Sequence, residues 1–377
     1  MIPVSLYIHI PWCIRKCPYC DFNSHQAPTE LPEVQYIQAL LEDFRQEQAL
    51  VEGRQISSIF IGGGTPSLFS AESIDSLIQG VRKICNWDED IEITLEANPG
   101  TFEQQRFNDY RKAGINRLSI GIQSYNPEHL KVLGRVHNSN EAIQAAQIAR
   151  EAGFDNFNLD LMFGLPAQTT MQALDDLQQA IDCNPSHLSW YQLTIEPNTL
   201  FHHQPPTLPD HELQWDIQQA GQSLLAKHGF EQYEVSAYAK QQQMCRHNLN
   251  YWQFGDYIGI GAGAHGKLTG TDGVIKRYQK YRQPKQYLDN ASMGEFHSSS
   301  KTLEAKDLPF EFMLNALRLK SGIDYTVYQE RAGQPFSSIK NTVEQAKASG
   351  LLQDTQQRIV CTEHGWRFLD DTLSLFL

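Results

Sequence analysis

Three cysteines fall close together near the start of the chain, in Leu6-Tyr-Ile-His-Ile-Pro-Trp-Cys13-Ile-Arg-Lys-Cys17-Pro-Tyr-Cys20-Asp-Phe22. The apolar run before them reads as a strand, so the C-x3-C-x2-C spacing lies on a loop leaving a strand end. Such a loop can bring three thiolates to one corner of a compact cluster, and soft thiolate is the ligand type that iron-sulfur clusters select. A cubane held by four cysteines carries electrons, whereas one held by three keeps an open iron for a substrate. The same cysteines with His9 also compose a Cys3His set for tetrahedral zinc. Arg15 and Lys16, between the cysteines, are expected to lower the thiol pKa values.

A chain of 377 residues exceeds the usual single core, which favours one large barrel-like domain with a smaller one. The formal net charge of -13 argues against general nucleic-acid binding, which needs a basic face, and against standing attachment to anionic lipid. No run of about eighteen or more apolar residues occurs, and the N-terminus lacks a secretory pattern, so the expected location is cytoplasmic. Seven cysteines, three of them clustered, fit a reducing compartment and a metal site better than a disulfide framework. Cys85, Cys183 and Cys361 read as small buried hydrophobes.

Strand-like and helix-like patterns then alternate. Strands are expected at Ile56–Ile61, Ile91–Leu95, Arg117–Ile122, Phe157–Met162 and His187–Leu193. Between them, helices are expected over Pro32–Val51, after a cap at Ser70, from Thr101 to Ala113-Gly114, over Pro127–Leu133 and Asn140–Ala152, and over Thr170–Asp182. Six units at a spacing of roughly thirty to forty residues argue for parallel strands with right-handed crossovers. The absence of a dinucleotide glycine fingerprint after the first strand, and polar residues just past several strand ends, favour a partial (β/α)6 barrel over a doubly wound sheet.

Further along, Asp210–Gly229 reads as a long amphipathic helix, Tyr233–Tyr238 as a strand, and Gly294–Ser300 as a linker. From Leu303 the pattern changes to three helices, Asp307–Leu319, Tyr325–Gly333 and Ser338–Gly350, with a hairpin expected over 359–369. The resulting division is a core over 1–240, a connecting segment over 241–300, and a small helical, winged-helix-like domain over 301–377.

Reactive groups of parallel barrels sit at the carboxyl ends of strands. Here the cysteine loop follows the first strand and Gly62-Gly63-Gly64 the second, where missing side chains allow close backbone approach to a ligand or simply a tight turn. Glu96 ends the third strand and Gln123 the fourth, Asp160 lies within the fifth, and Arg135 falls between these last two. A carboxylate inside a barrel strand requires hydrogen bonds or a partner, which could be a ligand or an Arg135–Asp160 ion pair.

Taken together, Tyr7-Ile-His-Ile-Pro-Trp-Cys13-x3-Cys17-x2-Cys20, Gly62-Gly63-Gly64-Thr65-Pro66, Glu96-Ala-Asn-Pro99, Gly121-Ile-Gln123-Ser124 and Leu159-Asp160-Leu-Met-Phe-Gly-Leu-Pro166 resemble the oxygen-independent coproporphyrinogen III oxidase-like branch of the radical S-adenosylmethionine (SAM) proteins. The likeness runs over nearly the whole chain and, within that branch, is greatest to the HemW-type haem chaperones. It implies that Cys13, Cys17 and Cys20 hold a [4Fe-4S] cluster with Tyr7 and Tyr19 beside it. SAM would chelate the open iron, where reductive cleavage yields a 5'-deoxyadenosyl radical. By the same likeness Gly63, Gly64, Thr65 and Glu96 contact SAM, while Gln123, Arg135 and Asp160 match positions that line a second SAM site in the oxidase.

Two departures from the oxidase pattern argue against porphyrinogen decarboxylation. Phe22 stands where the oxidase has a further cysteine, and the oxidase carries a longer arm before its cluster. In their place His247-Asn-Leu-Asn-Tyr251-Trp252 matches the H-N-x-x-Y-W element associated with haem binding, with His247 as a ligand, Tyr251 and Trp252 flanking the macrocycle, Arg246 near a propionate and Cys245 as a second candidate ligand. The resemblance therefore implies a haem chaperone delivering to apo-haemoproteins, such as those of the respiratory chain, with at most transient work at a membrane. The oxidase activity is the alternative.

Overall fold

Along Val4–Ile10, the first strand (β1), even-numbered side chains are apolar and fully buried, whereas Tyr7 and His9 point to the opposite face. That alternation is the pleat of a strand covered on both sides. It repeats in Ile56–Gly63 (β2), Glu92–Ala97 (β3), Arg117–Gln123 (β4), Phe157–Phe163 (β5) and His187–Gln192 (β6). The computed structural model describes residues 1–51, 53–87, 89–100, 105–240 and 242–377. The six strands pair in parallel in chain order, as the alternation predicts. Helices Glu33–Ala49, Ala71–Ile84, Ser139–Glu151 and Thr170–Asp182 cover the apolar face, contributing Leu40, Leu77, Ala145 and Leu177 to one continuous core.

Several boundaries have visible chemical causes. Ser70 caps its helix by accepting from the Ser73 amide at 3.2 Å. Asn138 and Thr169 each complete a reciprocal capping box. The helix expected to open at Thr101 is seen over Phe107–Lys112 and closes at Gly114 with φ of 100°; Thr101 itself lies outside the described residues.

Beyond β6 the chain departs from the expected pattern. The single strand expected over Tyr233–Tyr238 is a pair, Glu231–Glu234 (β7) and Ala237–Ala239 (β8), in which β8 lies antiparallel to β6. Asp256–Ile260 (β9) returns to the other side of β1 and pairs with it in parallel, followed by antiparallel His265–Thr269 (β10), Ile275–Lys280 (β11) and His297–Thr302 (β12). The linker expected over Gly294–Ser300 is thus largely strand, with every residue of β12 exposed, so apolar periodicity could not reveal it. Among the described residues the strands compose one mixed sheet in the order β12-β11-β10-β9-β1-β2-β3-β4-β5-β6-β8-β7, without a hydrogen-bonded join between β12 and β7.

The C-terminal region has its own core of Phe312, Met313, Tyr328, Val343 and Ile359, joined by Phe254 and Ile275 from the main body. Its three expected helices are present as Leu308–Ala316, Tyr325–Ala332 and Lys340–Ala348. The expected hairpin is not. Arg358–Ile359 pairs instead with Ile323–Asp324, and Glu363–Arg367 and Leu369–Ser374 are helical. Thr362 starts the first of these by accepting from the Gly365 amide at 2.9 Å, and a Cβ at Gly365 would lie 1.9 Å from the Leu351 carbonyl oxygen. Glycine there permits close packing rather than a hairpin turn.

Candidate functional site

The cysteine loop is fixed by its backbone before any ligand is considered. Trp12–Cys13 pairs with His25–Gln26, and the Ala27 amide donates to the Cys13 carbonyl at 2.8 Å, so the loop's two ends are closed together. Inside it, His9 Nε2 meets the Asn23 carbonyl at 2.8 Å, while Asn23 Nδ2 donates to the carbonyls of Ala262 and Arg282 at 2.8 and 2.9 Å. The Thr65 amide donates to the Trp12 carbonyl at 2.8 Å, which ties the end of β2 to the loop.

The glycine run proves to serve the protein's own packing. Gly63 has φ of 114°, and a Cβ on it would lie 2.4 Å from the His9 ring. At Gly64 a Cβ would lie 2.6 Å from the Trp12 carbonyl oxygen. The missing side chains let β2 close against the cysteine loop, and Gly63 and Gly64 still face the cavity beside it.

That cavity, of about 490 Å³, is lined by Cys13, Cys17, Cys20, Tyr19, Gly63, Gly64, Thr65, Glu96, Gln123, Arg135 and Asp160. Twelve of the fifteen residues singled out from sequence therefore reach one place once Trp252, also in its wall, is counted with these eleven. Tyr7 lines an adjoining cavity instead, where its hydroxyl meets His9 Nδ1 at 2.9 Å. The three thiols are unpaired by disulfides. Burial pushes Cys13 and Cys20 up, with Lys16 only a weak opposing influence on Cys20, so the expected thiolate stabilisation by Arg15 and Lys16 is not realised. Deprotonation would then come with metal binding itself.

Arg135 Nη1 donates to Cys17 Sγ at 3.6 Å, and Nη2 donates to Asn98 Oδ1 and the Gly121 carbonyl, both at 2.7 Å. It does not pair with Asp160, whose oxygens accept from Ser119 Oγ at 2.9 Å and Asn158 Nδ2 at 2.8 Å. Burial raises the Asp160 carboxyl despite these hydrogen bonds. Glu96 accepts from the Gly63 amide at 2.9 Å, yet burial, with nearby Asp160 adding to it, pushes its carboxyl up to about 7. Among the described residues neither carboxylate has an ion-pair partner. Two sequestered acids beside unpaired thiols suit a cationic ligand with hydroxyl groups, so this donor set fits a cluster together with a sulfonium nucleotide.

A single-ion zinc site fits less well. Both His9 ring nitrogens are engaged by Tyr7 and Asn23, and among the described residues no three His, Cys, Asp or Glu side chains could hold one metal ion. Thiolates on a cubane bind separate irons and need not converge on one point.

Sequence reading missed Asn98, Ser119, Ser189 and Tyr191 in the same wall. The Tyr191 hydroxyl donates to Gln123 Oε1 at 2.6 Å, where Gln123 takes φ of 72° at the end of β4. The available signal was polar residues at period two: Ser119 and Gln123 on β4, Asn158 and Asp160 on β5, Ser189 and Tyr191 on β6.

The second cavity, of about 620 Å³, is lined by aromatic groups including Tyr7, Tyr251, Trp252 and Tyr257, and shares Phe22, Gly63, Glu96 and Trp252 with the first. Phe22 is 60% exposed in this shared wall. His247 lines neither cavity. It is buried, with Nδ1 at 3.1 Å from Ser58 Oγ and Nε2 at 3.0 Å from the Tyr251 hydroxyl, and burial lowers its pKa to about 3. Cys245 is also fully buried, its thiol pushed up to about 12 by burial and placed 3.6 Å from Glu92 Oε1. Arg246 reaches Asp90.

Comparison with known proteins bears on the family and the fold. Residues 7–180 match the radical SAM superfamily and residues 303–368 the HemN C-terminal domain. Heme chaperone HemW of Haemophilus influenzae is 50% identical over 379 residues, spanning 100% of this chain and 98% of that protein. Heme chaperone HemW of Escherichia coli is 51% identical over 375 residues, with the same two shares. Among solved structures, the radical SAM enzyme coproporphyrinogen III oxidase (HemN) from Escherichia coli has the same fold, with a TM-score of 0.83 over 100% of this chain and 90% of that one at 23% identity. With that degree of identity along its whole length, and with both domains matched, the chain belongs to the HemW haem-chaperone family of the radical SAM superfamily.

Proposed function

We propose that this protein binds haem and passes it to apo-haemoproteins, respiratory-chain proteins among them, and that it carries a [4Fe-4S] cluster and SAM in the first cavity. The observation that carries the reading is the adjacency of two chemically different cavities through one wall of Phe22, Gly63, Glu96 and Trp252. One offers thiols and unpaired acids, and the other offers flat aromatic surface suited to a macrocycle. The relatives that bear the name heme chaperone support it along their full length.

In this reading Cys13, Cys17 and Cys20 would hold the cluster, with Arg135 orienting Cys17 through its hydrogen bond. Gly63, Gly64, Thr65 and Glu96 would receive SAM, and Gln123, Arg135 and Asp160 would extend that wall. When bound, a reduced cluster supplies the electron for SAM cleavage. Tyr251 and Trp252 would flank the haem, and His247 would set the Tyr251 hydroxyl through its Nε2 contact. No described helix is long and apolar enough to cross a membrane, which suits transient contact with membrane-bound acceptors.

The test is anaerobic reconstitution followed by haem titration on the same sample. Iron at cluster stoichiometry that is lost when all three cysteines become alanine, together with saturable haem uptake and transfer to an apo-haemoprotein, is the expected result. Robust turnover of coproporphyrinogen with reductant and SAM would instead establish the oxidase.

A further inference from the structure

Two histidines line the second cavity, and they differ in what their rings are doing. His9 is committed on both nitrogens, to the Tyr7 hydroxyl and the Asn23 carbonyl. His265 begins β10 opposite Gln279 of β11, with its side chain exposed at the cavity's edge. Among the described residues neither of its ring nitrogens has a hydrogen-bond partner. Arg282 stands in the same wall, and its guanidinium likewise has no ion pair or hydrogen bond among the described residues.

The remaining surface is flat and aromatic. Tyr251 meets Tyr257 edge-on, with ring centroids 4.5 Å apart, and Trp252 turns toward both cavities. Asn315, from the C-terminal helix Leu308–Ala316, closes another side. A volume of about 620 Å³ lies within the roughly 300–1,000 Å³ of small-molecule and cofactor sites. A planar anionic macrocycle with a metal at its centre needs three things: ring surface, a cation for its carboxylates, and an imidazole with a free lone pair. All three meet here.

We propose that the second cavity seats haem against Tyr251 and Trp252, with the His265 imidazole as the protein's iron ligand and Arg282 at a propionate. His247 is then a positioning residue, holding Tyr251 from behind. This assignment rests on the haem-binding reading above and deepens it. Partial burial of its ring, with Arg277 and Arg282 adding to it, lowers the His265 pKa, the direction that favours the form that donates to iron. His247, by contrast, lines no part of this cavity, and both its ring nitrogens are held, by Ser58 and by the Tyr251 hydroxyl that stands between it and the cavity.

The test uses full-length protein with its cluster reconstituted, titrated with haem and followed by Soret absorbance and electron paramagnetic resonance, with wild type compared to His265→Ala and His247→Gln. Wild type is expected to take up haem with a histidine-ligated spectrum. His265→Ala, with circular dichroism and iron content unchanged, is expected to lose that spectrum and at least about tenfold in affinity, and added free imidazole is expected to restore the spectrum. His247→Gln is expected to keep iron ligation. Haem that binds His265→Ala with the wild-type spectrum overturns the ligand assignment alone. A wild-type protein that takes up no haem overturns the haem-binding reading as well.

Discussion

Buried acids are handled in two ways in this protein. On the outer side of β11, Lys280 is fully buried and bonded to Asp43 at 2.6 Å and Glu47 at 2.5 Å, with the Tyr287 hydroxyl donating to Asp43 at 2.7 Å. Asp256 is similarly saturated by Lys267 at 2.8 Å and Arg54 at 2.9 Å, and Lys267, with the hydrogen bonds from Thr269, outweighs burial to hold its carboxyl below the usual range. Near the end of β3 and in the middle of β5, Glu96 and Asp160 receive hydrogen bonds but, among the described residues, no ion pair, Arg117 acting on Asp160 only from a distance. The first set holds the added strands β9–β11 to the barrel, and the second faces the cavity beside the cysteine loop. Pairing, rather than burial, therefore separates scaffold from site.

The largest test of this contrast is Lys280→Met. It leaves Asp43 without a cation and Glu47 with only His297, and a loss of about 3–5 kcal/mol in urea unfolding is expected. Glu96→Gln should behave oppositely. A carboxyl raised to about 7 lends stability that is complete below its unfolded value and is lost as pH rises toward 7. The glutamine variant should therefore unfold with a flatter pH profile, gaining roughly 1–3 kcal/mol over wild type at pH 8. SAM affinity should fall in the same variant, by about tenfold or more in equilibrium dialysis.

Arg135→Ala ranks next. It strips partners from Asn98 Oδ1 and the Gly121 carbonyl, for a loss of about 1–3 kcal/mol, and should shift the cluster's reduction potential through Cys17. Ser70→Ala removes a cap remote from both acid sets. It should cost about 1 kcal/mol and leave SAM and haem titrations unchanged. An Arg135 variant indistinguishable from it in potential would remove Arg135 from the cluster's surroundings.

Much of the site was legible because its residues lie at strand ends with short-range patterns: three cysteines in one loop, a glycine run after β2, and acids where an apolar strand should continue. The six parallel strands were legible for the same reason, as alternation repeated at a regular spacing. What escaped was set by distant contact. β12 carries no apolar signal because it is an exposed edge, and 363–374 turn helical because Gly365 packs on Leu351. His247 looked like a loop histidine until Ser58 and Tyr251, on either side of it, closed over both nitrogens. Partners of buried lysines are likewise invisible in sequence, since Lys280 and Asp43 are 237 positions apart.

Asn23 has a consequence for the order of assembly. Its amide braces the cysteine loop to carbonyls 239 and 259 positions later. During synthesis the nascent N-terminus emerges long before those carbonyls exist. The full set of loop contacts is consequently complete only after most of the polypeptide has been made, and a fragment ending before Ala262 would keep the loop's local closure and its tie to Thr65 but lack both Asn23 braces.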